Sequence, residues 1–315
     1  MQVDPAQLVM LALIRRHGSL AGAARDLGIS PAAVTGQLVR AERDWKVPLV
    51  ARGPRGARLT APAEALADAG EVIAEQCERV ADTVSSLLGT LSRRLRVGTF
   101  QTVAQHLLPP ALTALRHQHP DADLTISETR SAQGIDLVAS GALDMAIVAC
   151  WGRELTLPPG LQAHWLLCDP IVLCLPDDHP VIRGWPEPCG LRLDQLGDQP
   201  WIVITAGHDA RRQFDEAAEQ AGLTPRIVFE SANYNVAQSL VGTGIGVTVL
   251  SRLTVAPTPG AVHRELFEPR LIREIYAVTP ADTGLVPLAD VLVGLLKEVA
   301  DEIREAWEAQ PLDVS

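Results

Sequence analysis

The chain has 315 residues, enough for two or three domains that each bury a core. With 47% hydrophobic and 21% charged residues it is neither a disordered polymer nor, given its short apolar runs, a membrane-spanning one. The net charge of −11 argues against nucleic acid only until it is mapped along the chain. Residues 1–60 carry nine Lys/Arg against four acids, a net +5, which leaves −16 for the remainder. An acidic body with a basic head suits a protein that grips DNA at one end. Asp4 comes early and Arg15-Arg16 late, the reverse of an export signal. The five cysteines (Cys77, Cys150, Cys168, Cys174, Cys189) include no C-x-x-C pair, so a reducing cytoplasm is expected.

In chain order, Pro5 to Arg16 spaces Leu8, Leu11, Ala12 and Ile14 as a first helix. Ser19 to Thr35 then reads as two short helices joined at Gly28, the spacing of a helix-turn-helix. Ser19 and Ser30 can cap the two helices, and Pro31 suits the first position of the second. Leu27, Ile29, Val34 and Leu38 are expected to face inward, and the third helix to run to about Trp45. Leu49 to Thr60, punctuated by Gly53-Pro54 and Gly56, predicts a two-stranded wing made basic by Arg52, Arg55 and Arg58.

Thr60 is expected to cap a long helix started by Pro62. Leu66, Ile73, Val80 and Leu87 fall seven apart, and Gly70, Cys77, Val84 and Leu91 form a second row. This heptad pattern predicts a coiled-coil seam with a partner copy, carried by Leu66, Ile73, Val80, Val84 and Leu87. A helix packed on its own domain remains the alternative.

From Arg94 the pattern turns to alternating strands and helices, which predicts parallel sheets with ligands at the strands' carboxyl ends. Strands are expected near 95–99, 124–128, 145–148, 171–175, 201–205, 226–230, 245–250 and 272–278. Helices are expected over 102–118, 135–140, 210–221, 233–241 and Pro287–Ala309. Some motifs argue against other chemistries. Gly242 to Val247 precedes a strand rather than following one, so it fails as a dinucleotide loop. Asp177-Asp178-His179 is bracketed by prolines as a turn rather than a metal site. Cys168 and Cys174 read as strand thiols with no adjacent cation to activate them. No nucleophile elbow, Walker loop or metal-ligand spacing supports an enzyme. Two such strand-helix halves, roughly 94–165 and 166–267, suggest a pair of α/β lobes, and a solute-binding protein is the other reading that these lobes alone would permit.

The order of winged head, long helix and two α/β lobes resembles the LysR-type transcriptional regulators over nearly the whole chain. The residues that carry the likeness include Gly18-Ser19-Leu20, Ala23-Ala24, Ile29-Ser30, Ala33-Val34-Thr35, Glu42, Val47-Pro48-Leu49 and Leu59-Thr60. Later matches are Arg96-Val97-Gly98, Leu143 to Ile147, Leu175-Pro176, His179-Pro180 and Val241 to Val247. The resemblance implies an α/β protein with an all-α winged helix-turn-helix N-terminal domain (1–60) and a linker helix for dimerisation (61–92). A two-lobed α/β effector domain (93–309) would come next, similar to periplasmic solute-binding proteins. Its lobe I would take 93–165 and 268–309, and its lobe II 166–267. The expected partners are double-stranded DNA, a small-molecule effector, further copies in a homodimer or homotetramer, and RNA polymerase. No membrane, metal or cofactor is expected. The chain departs from the family at Pro31-Ala32, at Gly36 and near Pro62-Ala63, where the family often has glutamine-proline, a long polar residue and a glycine.

Helical spacing puts Ala32, Thr35, Gly36, Val39 and Arg43 on the face of the recognition helix opposite Val34 and Leu38, with Arg40 or Arg43 reaching phosphate. Ser19, Ser30, Ala32, Thr35, Gly36, Arg40, Arg43, Arg52 and Arg55 form the expected DNA site. The face is short of bidentate base readers, so DNA shape should carry more of the specificity. For the effector, the strand ends supply Thr99, Gln101, Thr102, Thr129, Thr205 and Tyr234, each of which could instead serve only to cap a helix. Helix N-termini beside them favour a small carboxylate.

Overall fold

The computed structural model describes residues 4–53, 56–87, 93–152, 154–183, 191–281, 286–310 and 312. They fall into two compact units, the first built on residues 1–92 and the second on residues from 93 onward.

In the first unit, α1 (Pro5–His17) is capped by Asp4, whose carboxylate accepts from the Ala6 N–H at 3.0 Å. α2 (Leu20–Asp26) and α3 (Pro31–Trp45) come next, and the turn between them passes through Gly28 at φ +65°, a conformation a side chain disfavours. Ser19 and Ser30 cap these helices by accepting from the Gly22 and Ala33 N–H groups at 3.1 and 3.2 Å. Met10, Leu11, Ile14, Ala23, Ala24, Val34 and Leu38 make the shared core, with Leu27 against it. Ile29 does not join them: it sits in the turn, off both helical faces, and is exposed. β1 (Val50–Gly53) pairs antiparallel with β2 (Gly56–Leu59), the expected wing. Glu42 of α3 accepts from the Leu49 N–H at 2.9 Å, and the Ala57 N–H donates to the Gly18 carbonyl at 3.1 Å. These two bonds tie the wing to the helices.

α4 (Ala61–Leu87) revises the expected seam. Thr60 does not cap it through its hydroxyl, which donates instead to the Pro48 carbonyl at 2.8 Å. Ala63 and Ala67 belong to the head's core, and Leu66 packs against it. Gly70 lies so close to α1 that a Cβ there would run into the Leu8 carbonyl. Arg15 of α1 reaches Glu64, Asp68 and Glu71 at 3.2, 2.6 and 2.8 Å. The first turns of the helix therefore pack on their own domain, and Leu66 and Gly70 are drawn into that packing by α1. Further along, Ile73 is half-buried, while Val80 is 63% exposed and Val84 48%. The Leu87 side chain and Leu91 lie outside the described residues.

The second unit opens with β3 (Arg94–Thr99), α5 (Gln101–His106), α6 (Leu108–Gln118), β4 (Asp123–Glu128), α7 (Ser131–Ser140) and β5 (Met145–Trp151). β6 (Leu161–Pro176) carries the chain into the second lobe. That lobe contains α8 (Pro180–Arg183), β7 (Leu191–Arg192), β8 (Pro200–Ile204), α9 (Asp209–Gln220), β9 (Arg226–Ser231), α10 (Tyr234–Val241), β10 (Thr248–Ser251) and β11 (Ala261–Glu268). β12 (Ile272–Pro280) returns, and α11 (Pro287–Ala309) packs against α6, β3 and β6.

The sheet runs β4-β3-β5-β12-β6-β11-β7, with β10 also on β6, while β8 and β9 form a separate parallel pair. β3 is parallel to β4 and β5, but β12 is antiparallel to both β5 and β6. The expected all-parallel sheets are thus corrected to a mixed one. The reason is topological: β6 takes the chain out of the first lobe and β12 brings it back, so the two run in opposite directions. Residues Leu161–Pro170 of β6 pair with β12, and Ile171–Pro176 with β10 and β11. The helix expected over 102–118 is broken at Leu107, because Pro109 and Pro110 lack the N–H groups that would continue it. The strand expected at 245–250 starts at Thr248, after Gly242 has ended α10.

Candidate functional site

The head presents α3 outward. Ala32, Gly36, Arg40 and Arg43 are exposed, Val39 beside them is 57% exposed, and the Arg43 side chain projects almost free of the surface. Thr35 is half-buried and donates its hydroxyl to the Pro31 carbonyl at 2.9 Å, so its methyl is the distinctive group left for a base edge. Ser19 and Ser30 use their oxygens as caps. Arg58 of the wing is exposed, whereas Arg55 and the side chain of Arg52 lie outside the described residues. Such a surface can contact phosphates through its arginines and thymine methyls through Ala32 and Thr35.

In the second unit a cavity of about 490 Å³ opens between the lobes. Phe100, Gln101, Thr102 and the run Glu128–Ser131 line it from the first lobe, and Ile204, His208, Asp209 and Tyr234 from the second. The end of β5 adds Ala149 and Trp151, and β12, which brings the chain back to the first lobe, adds Arg273. Of the six effector residues expected, Gln101, Thr102, Thr129 and Tyr234 line this space. Thr99 does not: it is buried in β3, its hydroxyl donating to the Phe100 carbonyl at 3.4 Å. Thr205 is also off the wall, half-buried with its N–H on the Ser231 carbonyl. Burial pushes the Tyr234 phenol up to about 12, which keeps it a neutral hydrogen-bonding group.

Sequence reasoning missed Arg273. Its side chain is 2% exposed, yet it lines the cavity. Nε donates to Asp169 Oδ2 at 2.6 Å, Nη2 to Ser251 Oγ at 2.8 Å and Nη1 to Thr102 Oγ1 at 3.5 Å. Asp169 is fully buried and also accepts from the Ser251 hydroxyl at 2.6 Å and the Leu253 N–H at 3.2 Å. The rings of Phe100 and Trp151 lie 5.2 and 5.4 Å from the guanidinium carbon, cation–π contacts that hold its plane. His106 titrates below its ordinary range, first through burial and then through the positive charge of Arg273. No local signal announced it: Glu274 stands beside Arg273 in β12, whereas its counter-ion, Asp169, lies 104 residues away in β6.

Cys168 and Cys174 sit on β6, where burial raises their thiols to about 11 and about 12. Neither lines the cavity. Six residues of strand separate them by roughly 20 Å, far beyond disulfide reach.

Comparison with known proteins agrees with this architecture. Residues 5–64 match the model of the bacterial regulatory helix-turn-helix protein of the lysR family, and residues 88–301 match the LysR substrate binding domain. The HTH-type transcriptional regulator CbbR of Xanthobacter flavus is 29% identical over 299 residues, covering 92% of this chain and 86% of that one. The probable HTH-type transcriptional regulator LrrA of Synechococcus elongatus is 28% identical, covering 95% and 98%. Among solved structures, a full-length OxyR variant of Pseudomonas aeruginosa superposes with a TM-score of 0.66 at 20% identity, covering 94% and 95%. Full-length CbnR in complex with its target DNA gives 0.63 at 19%, covering 94% and 100%. The matched family is one of transcriptional regulators, not enzymes, whose members bind DNA and respond to small molecules. With a winged helix-turn-helix head and a cavity between two α/β lobes, the chain belongs to the LysR family of DNA-binding, effector-responsive transcriptional regulators.

Proposed function

We propose that this regulator binds operator DNA as a homodimer or homotetramer and changes its grip when a small carboxylate enters the cavity between the lobes. The domains are the DNA-binding head (1–60), the linker (61–92) and the effector domain (93–309). Ser30, Ala32, Thr35, Gly36, Arg40 and Arg43 dock on the duplex with the wing arginines Arg52 and Arg55, and Ser19 anchors the first helix of the motif against the backbone. Gln101, Thr102, Thr129 and Tyr234 contact the effector. Ile73, Val80, Val84 and Leu87 pair the linker helices, which gives the exposed Val80 and Val84 their covering surface. RNA polymerase is the further partner, and the setting is the cytoplasm. No helix among the described residues is long and apolar enough to cross a membrane.

The observation that carries the effector half is the cavity of about 490 Å³, lined from both lobes and floored by a buried arginine. A space of that size suits a small molecule. Its occupant shifts a population of lobe arrangements only if it binds one of them more tightly. Closure of the lobes would rotate the linker arms and alter the spacing of the heads on DNA. A gel shift with full-length protein and genomic fragments tests the DNA half. Thr35→Ala should weaken binding to the enriched fragment while hardly changing binding to random DNA, and equal losses on both would remove Thr35 from base readout.

A further inference from the structure

The inner wall of the cavity contains a charge whose coordination is incomplete. A guanidinium has five N–H donors. In Arg273, Nε and Nη2 are held at 2.6 and 2.8 Å by Asp169 and Ser251, whereas Nη1 has among the described residues a single acceptor, Thr102 Oγ1, at 3.5 Å. That is the limit of a hydrogen bond, so its two protons are poorly used. Phe100 and Trp151 lie against the group, which directs further hydrogen bonds to its edge. Asp169 meets the group at Nε and bonds the Ser251 hydroxyl and the Leu253 N–H besides.

We propose that Arg273 is the residue by which the cavity reads its ligand: Nη1, together with the Thr102 hydroxyl, takes one carboxylate group of the effector, while Nε and Nη2 stay on Asp169 and Ser251. This deepens the assignment of the cavity as the effector site and rests on it. A planar, in-plane acceptor fits the free edge of a guanidinium better than a neutral carbonyl does. The position also couples ligand to lobes. Arg273 of β12 stands opposite Asp169 of β6, two residues before Ile171, where β6 changes partners from β12 to β10 and then β11. Thr102 belongs to the first lobe and Ser251 to the second, so a carboxylate on Nη1 joins a network with anchors on both sides of the crossing.

The test is calorimetry of the full chain against acetate, butyrate and phenylacetate, each compared with its primary amide. At least one carboxylate should bind at least tenfold more tightly than its amide. In Arg273→Gln combined with Asp169→Asn, which keeps the network but removes both charges, that preference should fall to within twofold. Thr102→Val, a milder change, should reduce it about threefold or more and keeps the test decisive where the double variant does not fold. The proposal is overturned where no carboxylate outbinds its amide, or where the preference survives in the folded variants. Ala149→Trp separates this from the cavity itself. If filling the wall at Ala149 abolishes binding of acids and amides alike, the cavity is the site even when the carboxylate preference fails. If binding persists in that variant, the cavity assignment falls.

Discussion

The head and the cavity use arginine in opposite ways. Arg40 and Arg43 are exposed on α3, and among the described residues nothing fixes their reach apart from an Asp44 oxygen 4.0 Å from Arg43. Arg273 is buried, held by Asp169 and Ser251, and flanked by two aromatic rings. An exposed cation attracts a polyanion at long range and is screened by salt, whereas a buried one acts over a few ångströms and is screened little. On the roles proposed above, one protein carries a loose, salt-sensitive grip for DNA and a rigid, shape-sensitive reader for a small ligand.

The largest expected effect sharpens this contrast directly. Raising salt from 50 to 200 mM should lower DNA affinity by about a thousandfold or more if a dimer neutralises six or more phosphates. Ligand binding in the cavity should change by less than about threefold over the same range, because the charge there is screened little. Parallel titrations of both activities against salt check it.

Next in size is the loss of Asp169. Asp169→Ala leaves Arg273 buried without its counter-ion and should destabilise the effector domain by about 3–5 kcal/mol. Arg43→Ala, by contrast, should leave the head's stability within about 0.5 kcal/mol. Chemical denaturation of the two variants reads both values.

The linker supplies a third break point. Val80→Asp with Val84→Asp places charge on the exposed stripe of α4 and should convert the oligomer to monomer in sedimentation, with DNA affinity falling in step. Leu66→Asp should act differently, by unfolding the head, because Leu66 packs against the head's own core.

How much of this was legible in the sequence depends on distance along the chain. The head is built from local signals: Ser19 and Ser30 bond to groups three residues away, and Pro5 and Pro31 start their helices. The wing and the span Pro287–Ala309 were readable for the same reason. The cavity's inner wall was not. Arg273 meets partners 22, 104 and 171 residues away, and nothing local in Ile272–Tyr276 announces them. The crossing strands were hidden likewise, since antiparallel pairing of β12 with β5 and β6 depends on how the lobes are threaded. Thr99 was misplaced because a strand end looks the same in sequence whether its last side chain faces the cavity or the core.

The smallest expected effect concerns pH. Burial, as the leading cause, lowers the titration of His106, His164 and His263 in the effector domain. The unfolded chain therefore binds more protons as pH falls through about 6.5, so stability is full above that value and declines below it. Melting of the effector domain should drop by roughly 1–3 °C between pH 7.5 and pH 6. A melting point that rose over that interval would contradict the buried, neutral state of these imidazoles.

A basic winged head reading duplex DNA for a body that senses a metabolite is tested most simply by footprinting. The full chain is placed on fragments it enriches from its native genome. Protected half-sites should be separated by whole turns of the duplex, about 34–36 Å or multiples of it, with a pattern that shifts when the cavity is filled. Equal retention of random and genomic fragments at low ionic strength, with no protected tract, would refute that division of labour.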